Sequence, residues 1–148
     1  MRTVKIALRK AVAADSDFAY GAKRAAFRHY AEKISGWDEE AQREIHNERF
    51  QAQEFRVISA GGVDVGVMAL EQSGDCVKLN QLYLLPEYQG RQIGRQSMLL
   101  VMEQARELGL PIRLRVLKNN PRARAFYERL GFGCVGETDT HSLFAWGE

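Results

Sequence analysis

The sequence has few of the residues that build covalently linked or metal-held scaffolds. It contains two cysteines, Cys76 and Cys134, and three histidines, and none of them is spaced as zinc ligands are. Both cysteines fall within apparent strands, so we expect buried, reduced thiols rather than a disulfide. The composition therefore disfavours both a resident metal and a disulfide-rich fold.

Long apolar runs and a strong charge imbalance are also lacking. No stretch approaches the roughly 20 apolar residues of a membrane-spanning helix, and the first ten residues alternate like a strand rather than a signal peptide. We therefore expect a cytoplasmic protein without membrane association. The formal net charge of +2 is too small to indicate nucleic-acid binding, which needs a concentrated basic face. Basic residues instead flank two turns: Arg91, Arg95, Lys118, Arg122 and Arg124.

The chain has the length and composition of one globular domain. Its 148 residues are 45% hydrophobic and 27% charged, and neither a linker nor an internal repeat interrupts them. We expect a single domain over residues 1–148.

Hydrophobic periodicity predicts an alternation of strands and helices. Strands are predicted over residues 4–9, 55–58, 63–70, 76–85 and 112–116, with two more between 132 and 146. Helices are predicted over residues 15–31, 38–50, 121–130 and from just after Gln89 to 108. The paired glycines Gly61 and Gly62 indicate a hairpin turn. The order β-α-α-β-β-β-α-β-α-β-β predicts an α/β fold with a single mixed sheet flanked by helices.

The turn between the fourth strand and the third helix has the features of an anion site. Backbone N–H groups at a helix start have no partners within the helix, and here two glycines allow close approach while two arginines add positive charge. A helix cap with a packing glycine would explain the same pattern. Neither G-x-G-x-x-G nor G-x-x-x-x-G-K-[ST] occurs, so a dinucleotide or P-loop site is disfavoured.

Two segments together resemble the cofactor motifs of the GNAT superfamily of N-acetyltransferases. Residues 89–94, QGRQIG, are similar to its [QR]-x-x-G-x-[GA] signature, and residues 119–132 carry its Asn...A-x-x-[FL]-Y-x-x-x-G-F signature. The close match covers residues 79–132. The resemblance implies a GNAT fold with a mostly antiparallel sheet, and an enzyme that uses acetyl-CoA as co-substrate to acetylate a primary amine on a small molecule or a polypeptide.

The resemblance also implies roles for particular residues. The backbone of Leu82, Tyr83 and Leu84 would pair with the pantetheine arm, Asn120 would hydrogen-bond the cofactor, and Tyr127 would lie near its sulfur. The pyrophosphate would be wrapped by Gly90, Arg91, Gln92, Ile93, Gly94 and Arg95. Gln92 departs from the signature, which has glycine there.

Acetyl transfer to an amine needs a neutral nucleophile, a polarised carbonyl and a protonated leaving thiol. Tyr127 is the expected acid, because a phenol that titrates near pH 10 stays protonated at neutral pH; the alternative is that it only packs beside Phe126. The N–H of Leu84 is expected to polarise the carbonyl. The base stays unassigned. Related branches place a glutamate where Arg115 or Lys78 stands here.

Glu71, at the end of the preceding strand, could act as the base through water, although an exposed carboxylate there is more simply solvated. An amine that is already neutral on arrival could also attack directly.

The acceptor is expected to meet the least family-like region, around residues 27–40. Tyr30 and Trp37 could form an apolar wall there, and Glu32 and Asp38 could attract a cationic amine. Alternatively, the aromatic side chains belong to the core or an interface and the acids cap the second helix.

A non-catalytic acyl-CoA sensor is the competing function, and a homodimer formed through the C-terminal strands, which contain Leu143, Phe144 and Trp146, is an open option.

Overall fold

The structure, a computed structural model, describes residues 5–32 and 36–147. Within them lie seven strands: β1 Ile6–Lys10, β2 Glu54–Ala60, β3 Val63–Gln72, β4 Val77–Leu84, β5 Ile112–Leu117, β6 Gly133–Glu137 and β7 His141–Trp146. Four α-helices accompany them: α1 Ser16–Glu32, α2 Glu39–Ala52, α3 Ile93–Leu108 and α4 Pro121–Arg129. The predicted element order and the mixed α/β sheet are confirmed.

Local capping explains most helix boundaries. Asp38 begins α2 by accepting a hydrogen bond from the Ala41 N–H at 3.1 Å. Gly109 ends α3 in the left-handed conformation, with φ 71°, and the N–H of Leu110 reaches back to the Ala105 carbonyl at 3.0 Å. The start of α3 was predicted too early, because residues 86–88 form a 3-10 turn and two positive φ angles follow before Ile93.

The sheet has the order β1-β2-β3-β4-β5-β7-β6, and β4 and β5 are its parallel neighbours. Their pairing covers only Val77–Leu79 of β4 against Ile112–Leu114 of β5. Beyond Leu79 the two strands separate, while β4 continues to pair with β3 and β5 with β7. The sheet is therefore open between the carboxyl-terminal halves of β4 and β5, and we call this opening the β4–β5 gap.

A bulge in β4 decides which side chains face which side of the sheet. Asn80 is an extra residue, because Ala69 is opposite Gln81 whereas Leu70 is opposite Leu79. Leu79 faces α3 before the bulge, and Leu82 and Leu84 face α3 after it. Tyr83 consequently faces α1 and α2, and Gln81, two residues earlier on the strand, shares that face.

Each face of the sheet buries a separate core. The larger core lies against α3 and α4 and includes Met68, Met98, Ile112 and Phe144. The smaller core packs Ala19 and Ala22 of α1 against Phe55, Val67 and Ala69 of the sheet. Small alanines allow α1 to lie close to β3 and β4.

The structure differs from the sequence-based expectation for the cysteines and limits the expectations for the C-terminal strands and the first strand. Cys134 is exposed rather than buried, because β6 is an edge strand, and Cys76 is only half-buried just before β4; both thiols are free. Of the C-terminal strands only β6 has an open edge, since β7 lies between β5 and β6 and Phe144 is 1% exposed. Val4, in the predicted first strand, lies outside the described residues.

No helix within the described residues combines the length and the apolar character needed to cross a membrane. In the same part of the chain, no group of three or more His, Cys, Asp or Glu side chains is placed to hold a metal ion.

Candidate active site

The segment from β4 to α3 is held together by its own hydrogen bonds. The Gln89 side chain donates from Nε2 to the Leu84 carbonyl at 3.1 Å, which ties the turn to the strand end. Two backbone bonds close the 3-10 turn, from the Tyr88 N–H to the Leu85 carbonyl and from the Gln89 N–H to the Pro86 carbonyl. The start of α3 is thereby fixed beside the carboxyl end of β4.

The next six residues, 90–95, present backbone N–H groups with no protein partner, and we call this segment the amide turn. Within the described residues, no carbonyl or side chain accepts a hydrogen bond from the N–H of any residue from Gly90 to Arg95. The side chains of Arg91 and Arg95 are exposed and form no ion pair with the described part of the chain. The amide turn therefore combines donors and positive charge as a diphosphate site requires.

Gln92 holds a strained conformation in the amide turn. Its φ is 68° and its ψ is 5°, and it is the one non-glycine residue of the described chain with a positive φ. This region costs a residue with a Cβ about 1–2 kcal/mol. The turn thus keeps the glycine-like geometry of the signature although the side chain opposes it.

The strand register directs particular backbone groups into the β4–β5 gap. The Leu85 N–H donates to the Val65 carbonyl of β3 at 2.9 Å, so the backbone groups of Leu84 and Leu82 point away from β3, toward the gap. The backbone of Tyr83 points toward β3. The gap therefore offers a ligand both backbone groups of Leu82 but only the N–H of Leu84, whose carbonyl accepts from Gln89, and it does not offer the Tyr83 backbone.

Gly66 of β3 is needed for this arrangement, and the sequence did not single it out. A Cβ at Gly66 would lie 2.4 Å from the Tyr83 carbonyl oxygen and 2.8 Å from Leu84 Cδ2. An isolated glycine within a strand pattern is the signal that could have indicated this close approach.

Tyr127 is buried in the larger core beside the gap. Its ring centroid lies 5.0 Å from that of Phe126 and 5.6 Å from that of Phe132. Its hydroxyl makes no hydrogen bond with the described residues. Burial raises the pKa of Tyr127 above its usual value near 10, and the phenol of Tyr83 raises it further. The hydroxyl is therefore a weaker acid than the sequence suggested, and it stays protonated over the whole physiological pH range.

Asn120 has a structural role that leaves part of its side chain available. Its Oδ1 accepts a hydrogen bond from the Ala123 N–H at 3.1 Å and caps α4. The cap occupies the oxygen, so only the Nδ2 group remains to donate to a ligand.

Comparison with known proteins assigns the family. The sequence profile described as "Acetyltransferase (GNAT) family" matches residues 22–132, which is about three quarters of the chain. This chain belongs to that family.

Individual relatives agree with this assignment. The Escherichia coli (strain K12) protein described as "Uncharacterized N-acetyltransferase YjgM" is 32% identical over 94 residues, 58% of this chain and 54% of that protein. The match thus spans about half the length of this curated relative.

Solved structures show the same fold. The PaiA N-acetyltransferase of Thermoplasma acidophilum, solved in complex with coenzyme A, has a TM-score of 0.76 at 22% identity and covers 95% of this chain and 98% of that one. The ribosomal-protein-S18-alanine N-acetyltransferase of Escherichia coli has a TM-score of 0.72 at 18% identity, over 95% and 92%.

In this GNAT chain the acids predicted to attract the acceptor are engaged elsewhere. Asp38 caps α2, as the alternative interpretation held, and Glu32 pairs with Arg28 at 2.8 Å. Trp37 donates from Nε1 to Glu39 Oε2 at 2.7 Å. The side chain of Tyr30 lies outside the described part of the structure.

Glu71, the sequence-suggested base, is exposed, and its Oε1 accepts a hydrogen bond from Asn80 Nδ2 at 2.7 Å. It lies opposite Lys78, where β4 and β5 are still paired, rather than in the β4–β5 gap.

Two buried polar residues of this GNAT chain escaped the sequence analysis. Lys23 on α1 is 1% exposed and has neither a hydrogen bond nor an ion pair within the described residues. Burial, with a smaller effect from Arg49, lowers the pKa of Lys23 to about 8. Gln81 on β4 is 4% exposed, and neither its Oε1 nor its Nε2 has a hydrogen-bond partner among residues 5–32 and 36–147. The sequence signal for Lys23 was a lysine among the alanines of one helix face. No signal indicated the environment of Gln81, because the bulge at Asn80 changes which side of the sheet it faces.

Proposed function

We propose that this chain transfers the acetyl group of acetyl-CoA to a primary amine, on a small molecule or a polypeptide, by direct attack in a ternary complex. The observation that carries the proposal is the amide turn with its unpartnered N–H groups at the mouth of the β4–β5 gap. Membership of the acetyltransferase (GNAT) family supports acetyl-CoA as the donor.

The residues present fit the diphosphate and the pantetheine arm of acetyl-CoA. The amide turn, with Arg91 and Arg95, would hold the diphosphate. The backbone of Leu82 would pair with an amide of the pantetheine arm, the Leu84 N–H would face the thioester because the Leu84 carbonyl already accepts from Gln89 Nε2, and Asn120 Nδ2 would donate a further hydrogen bond. When bound, acetyl-CoA supplies the thioester that is the acetyl donor.

Two donors of the chain, the Leu84 N–H and the Tyr127 hydroxyl, would act on the thioester in the gap. The Leu84 N–H points into the gap and would stabilise the negative charge that develops on the carbonyl oxygen. The Tyr127 hydroxyl would donate a hydrogen bond to the sulfur as the carbon–sulfur bond breaks and its electron pair moves to sulfur. The new carbon–nitrogen bond forms from the lone pair of a neutral amine, which afterwards loses a proton.

The raised pKa of Tyr127 limits its role as an acid in this reaction. A thiol titrates near pH 8.5, so complete transfer of the phenolic proton to a free thiolate is uphill. We therefore assign Tyr127 the stabilisation of the leaving sulfur by a hydrogen bond, with the proton released by the acetylated amine balancing the thiolate through solvent. No described carboxylate is assigned as base.

Binding of the donor is tested by thermal shift. Acetyl-CoA should raise the melting temperature in a concentration-dependent way, because it binds only the folded state, whereas NAD and ATP should not. No response at about millimolar acetyl-CoA would refute the proposal.

Transfer is tested by measuring thiol release with a panel of amines. Tyr127→Phe should lower kcat about 100-fold while leaving the acetyl-CoA thermal shift in place, because the ring still packs between Phe126 and Phe132. Unchanged turnover in this variant would remove Tyr127 from the mechanism. Donor binding with no release from any amine would point to a sensor instead.

The proposal also covers the domain organisation, the cellular location and the oligomeric state of the protein. We take residues 1–148 as one domain acting in the cytoplasm, without membrane or nucleic-acid association, and a homodimer as the assembly to test. The exposed edge of β6, where Val135 is 61% exposed, supports β6 as the contact. Size-exclusion chromatography with light scattering measures the assembly directly.

A further inference from the structure

We infer that the acceptor amine carries a carboxylate, and that Lys23 on α1, Gln81 on β4 and Arg49 on α2 recognise it beside the β4–β5 gap. This inference rests on the proposed acetyl transfer and narrows its acceptor to amino carboxylic acids. The three residues lie on the side of the sheet opposite α3, which the donor site does not use.

Lys23 is the first part of this subsite. It follows Ala22 and lies one turn after Ala19, and both alanines are packed against Val67 and Ala69 of the sheet. The lysine therefore shares the buried face of α1, and 1% of its surface is exposed. An ammonium group that is buried without an acid is unfavourable for the folded chain. A partner anion supplied by a substrate would remove that penalty.

Gln81 is the second part, on the strand that α1 covers. The bulge at Asn80 turns Gln81 and Tyr83 toward α1, and the ring of Phe27, one turn after Lys23, lies 5.7 Å from the ring of Tyr83. Both polar atoms of the Gln81 amide are buried without a partner. Two facing elements thus place unpartnered polar side chains in one buried layer, although such groups are nearly always hydrogen-bonded in native proteins.

The charge of this layer is positive. Arg49 lies close enough for its charge to lower the pKa of Lys23. The same charge acts to lower the pKa of Tyr83, against the larger effect of burial, which raises it. Among the described residues, no carboxylate forms an ion pair with Lys23 or with Arg49.

Three acids on α1 and α2 pair with other arginines: Asp17 with Arg43, Glu32 with Arg28, and Glu39 with Arg24. A ligand anion would therefore meet two cations that form no ion pair with any described carboxylate.

The layer is connected to the transfer site through Tyr83. This residue directly precedes Leu84, whose N–H points into the gap, and its phenol is close enough to the Tyr127 hydroxyl to raise the pKa of Tyr127. A carboxylate held by Lys23 would leave an amine a few bonds away directed toward the gap. The Gln81 Oε1 could accept a hydrogen bond from that amine while its Nε2 donates to the carboxylate.

The test compares acceptors that differ only in the carboxylate. Thiol release from acetyl-CoA is measured with glycine against glycinamide, and with β-alanine and γ-aminobutyrate against their amides, at equal concentrations of neutral amine. We expect kcat/KM to be at least roughly tenfold higher for the acid in one pair or more, the effect of a charge-assisted hydrogen bond. The difference should lie mainly in KM.

Variants assign the preference to residues. Lys23→Met keeps the side-chain length without the charge and should reduce the ratio of acid to amide to about one. Arg49→Gln, at an exposed position of α2, should reduce the ratio in part. Lys10→Met, at the exposed last residue of β1, is the matched control and should preserve both the ratio and the turnover.

The outcomes separate this inference from the proposed function. The carboxylate subsite alone is overturned if thiol release shows no preference for acids over amides. It is also overturned if the preference persists in both Lys23→Met and Arg49→Gln. No release from any acceptor overturns acetyl transfer, and the subsite with it. Acetylated Lys23, found by peptide mass spectrometry after incubation with acetyl-CoA, would make this amine an acceptor and would also overturn the subsite.

Discussion

Replacing Lys23 with methionine should make the folded protein more stable at neutral pH. Burial lowers the pKa of Lys23 from about 10.5 to about 8, so the folded state binds its proton less tightly than the unfolded state does. At about 1.4 kcal/mol for each pKa unit, the charged lysine costs up to about 3 kcal/mol at pH 7. Methionine fills a similar volume without this cost. We expect the free energy of unfolding to rise by about 1–3 kcal/mol.

The pH dependence of this gain provides the sharper test. Between the folded pKa near 8 and the unfolded pKa near 10.5, the unfolded chain holds the proton that the folded chain has lost. The wild-type protein should therefore gain stability as pH rises through this window, and the variant should lack that gain. The difference between them should be largest below pH 8 and should shrink toward pH 10.5.

Urea denaturation of both proteins at several pH values measures this difference, with Lys10→Met as the control for an exposed lysine. The control should show no stabilisation and an unchanged pH profile. A Lys23→Met variant that is less stable than wild type at pH 7, or a difference that does not vary with pH, would show that Lys23 is compensated in the folded state. The reasoning about an unpartnered buried ammonium would then be refuted.

Three further substitutions test the geometry of the site. Gln92→Gly should raise the free energy of unfolding by about 0.5–1 kcal/mol in chemical denaturation, because it relieves the left-handed strain while adding some chain entropy; a loss of stability would contradict the strain. Asn120→Ala removes the α4 cap and should lower the melting temperature, by an amount equivalent to about 1 kcal/mol, and an unchanged temperature would deny the cap. Gly66→Ala places a Cβ 2.4 Å from the Tyr83 carbonyl oxygen, and it should weaken both folding and acetyl-CoA binding measured by calorimetry; wild-type values would show that β3 can move away.

The sequence predicted most of the fold because its local signals are strong and agree with one another. The helix starts at Asp38 and Asn120 use side-chain caps, and the hairpin at Gly61 uses positive φ angles, so each boundary is fixed by residues within a few positions of it. The start of α3 was predicted too early because the local backbone conformation there is not one that its residue types indicate. Positive φ at Gly90 and Gln92 excludes helix, and a glutamine in that conformation gives no sequence signal.

Burial on the α1 side of the sheet could not be predicted from periodicity. The extra residue at Asn80 shifts the alternation of β4, so Gln81 faces α1, although its spacing from Val77 and Leu79 would place it on the α3 side. Lys23 lies on a helix face of alanines, and only the close approach of that face to β3 and β4 removes the lysine from water. The expected acids of the acceptor region make local contacts instead: Glu32 pairs with Arg28 one turn earlier in α1, and Asp38 caps α2.

The sequence by itself determined the order of the elements and indicated the proposed donor site, because both depend on groups that are adjacent along the chain: a strand end, a turn with unpartnered amides and the start of a helix. Tertiary structure decided what lies on the acceptor side. Residues that are distant in sequence are brought together by three features: the separation of β4 from β5, the register of the bulged strand β4 and the depth at which α1 packs. Only this packing makes Lys23 and Gln81 unpartnered buried groups beside the gap.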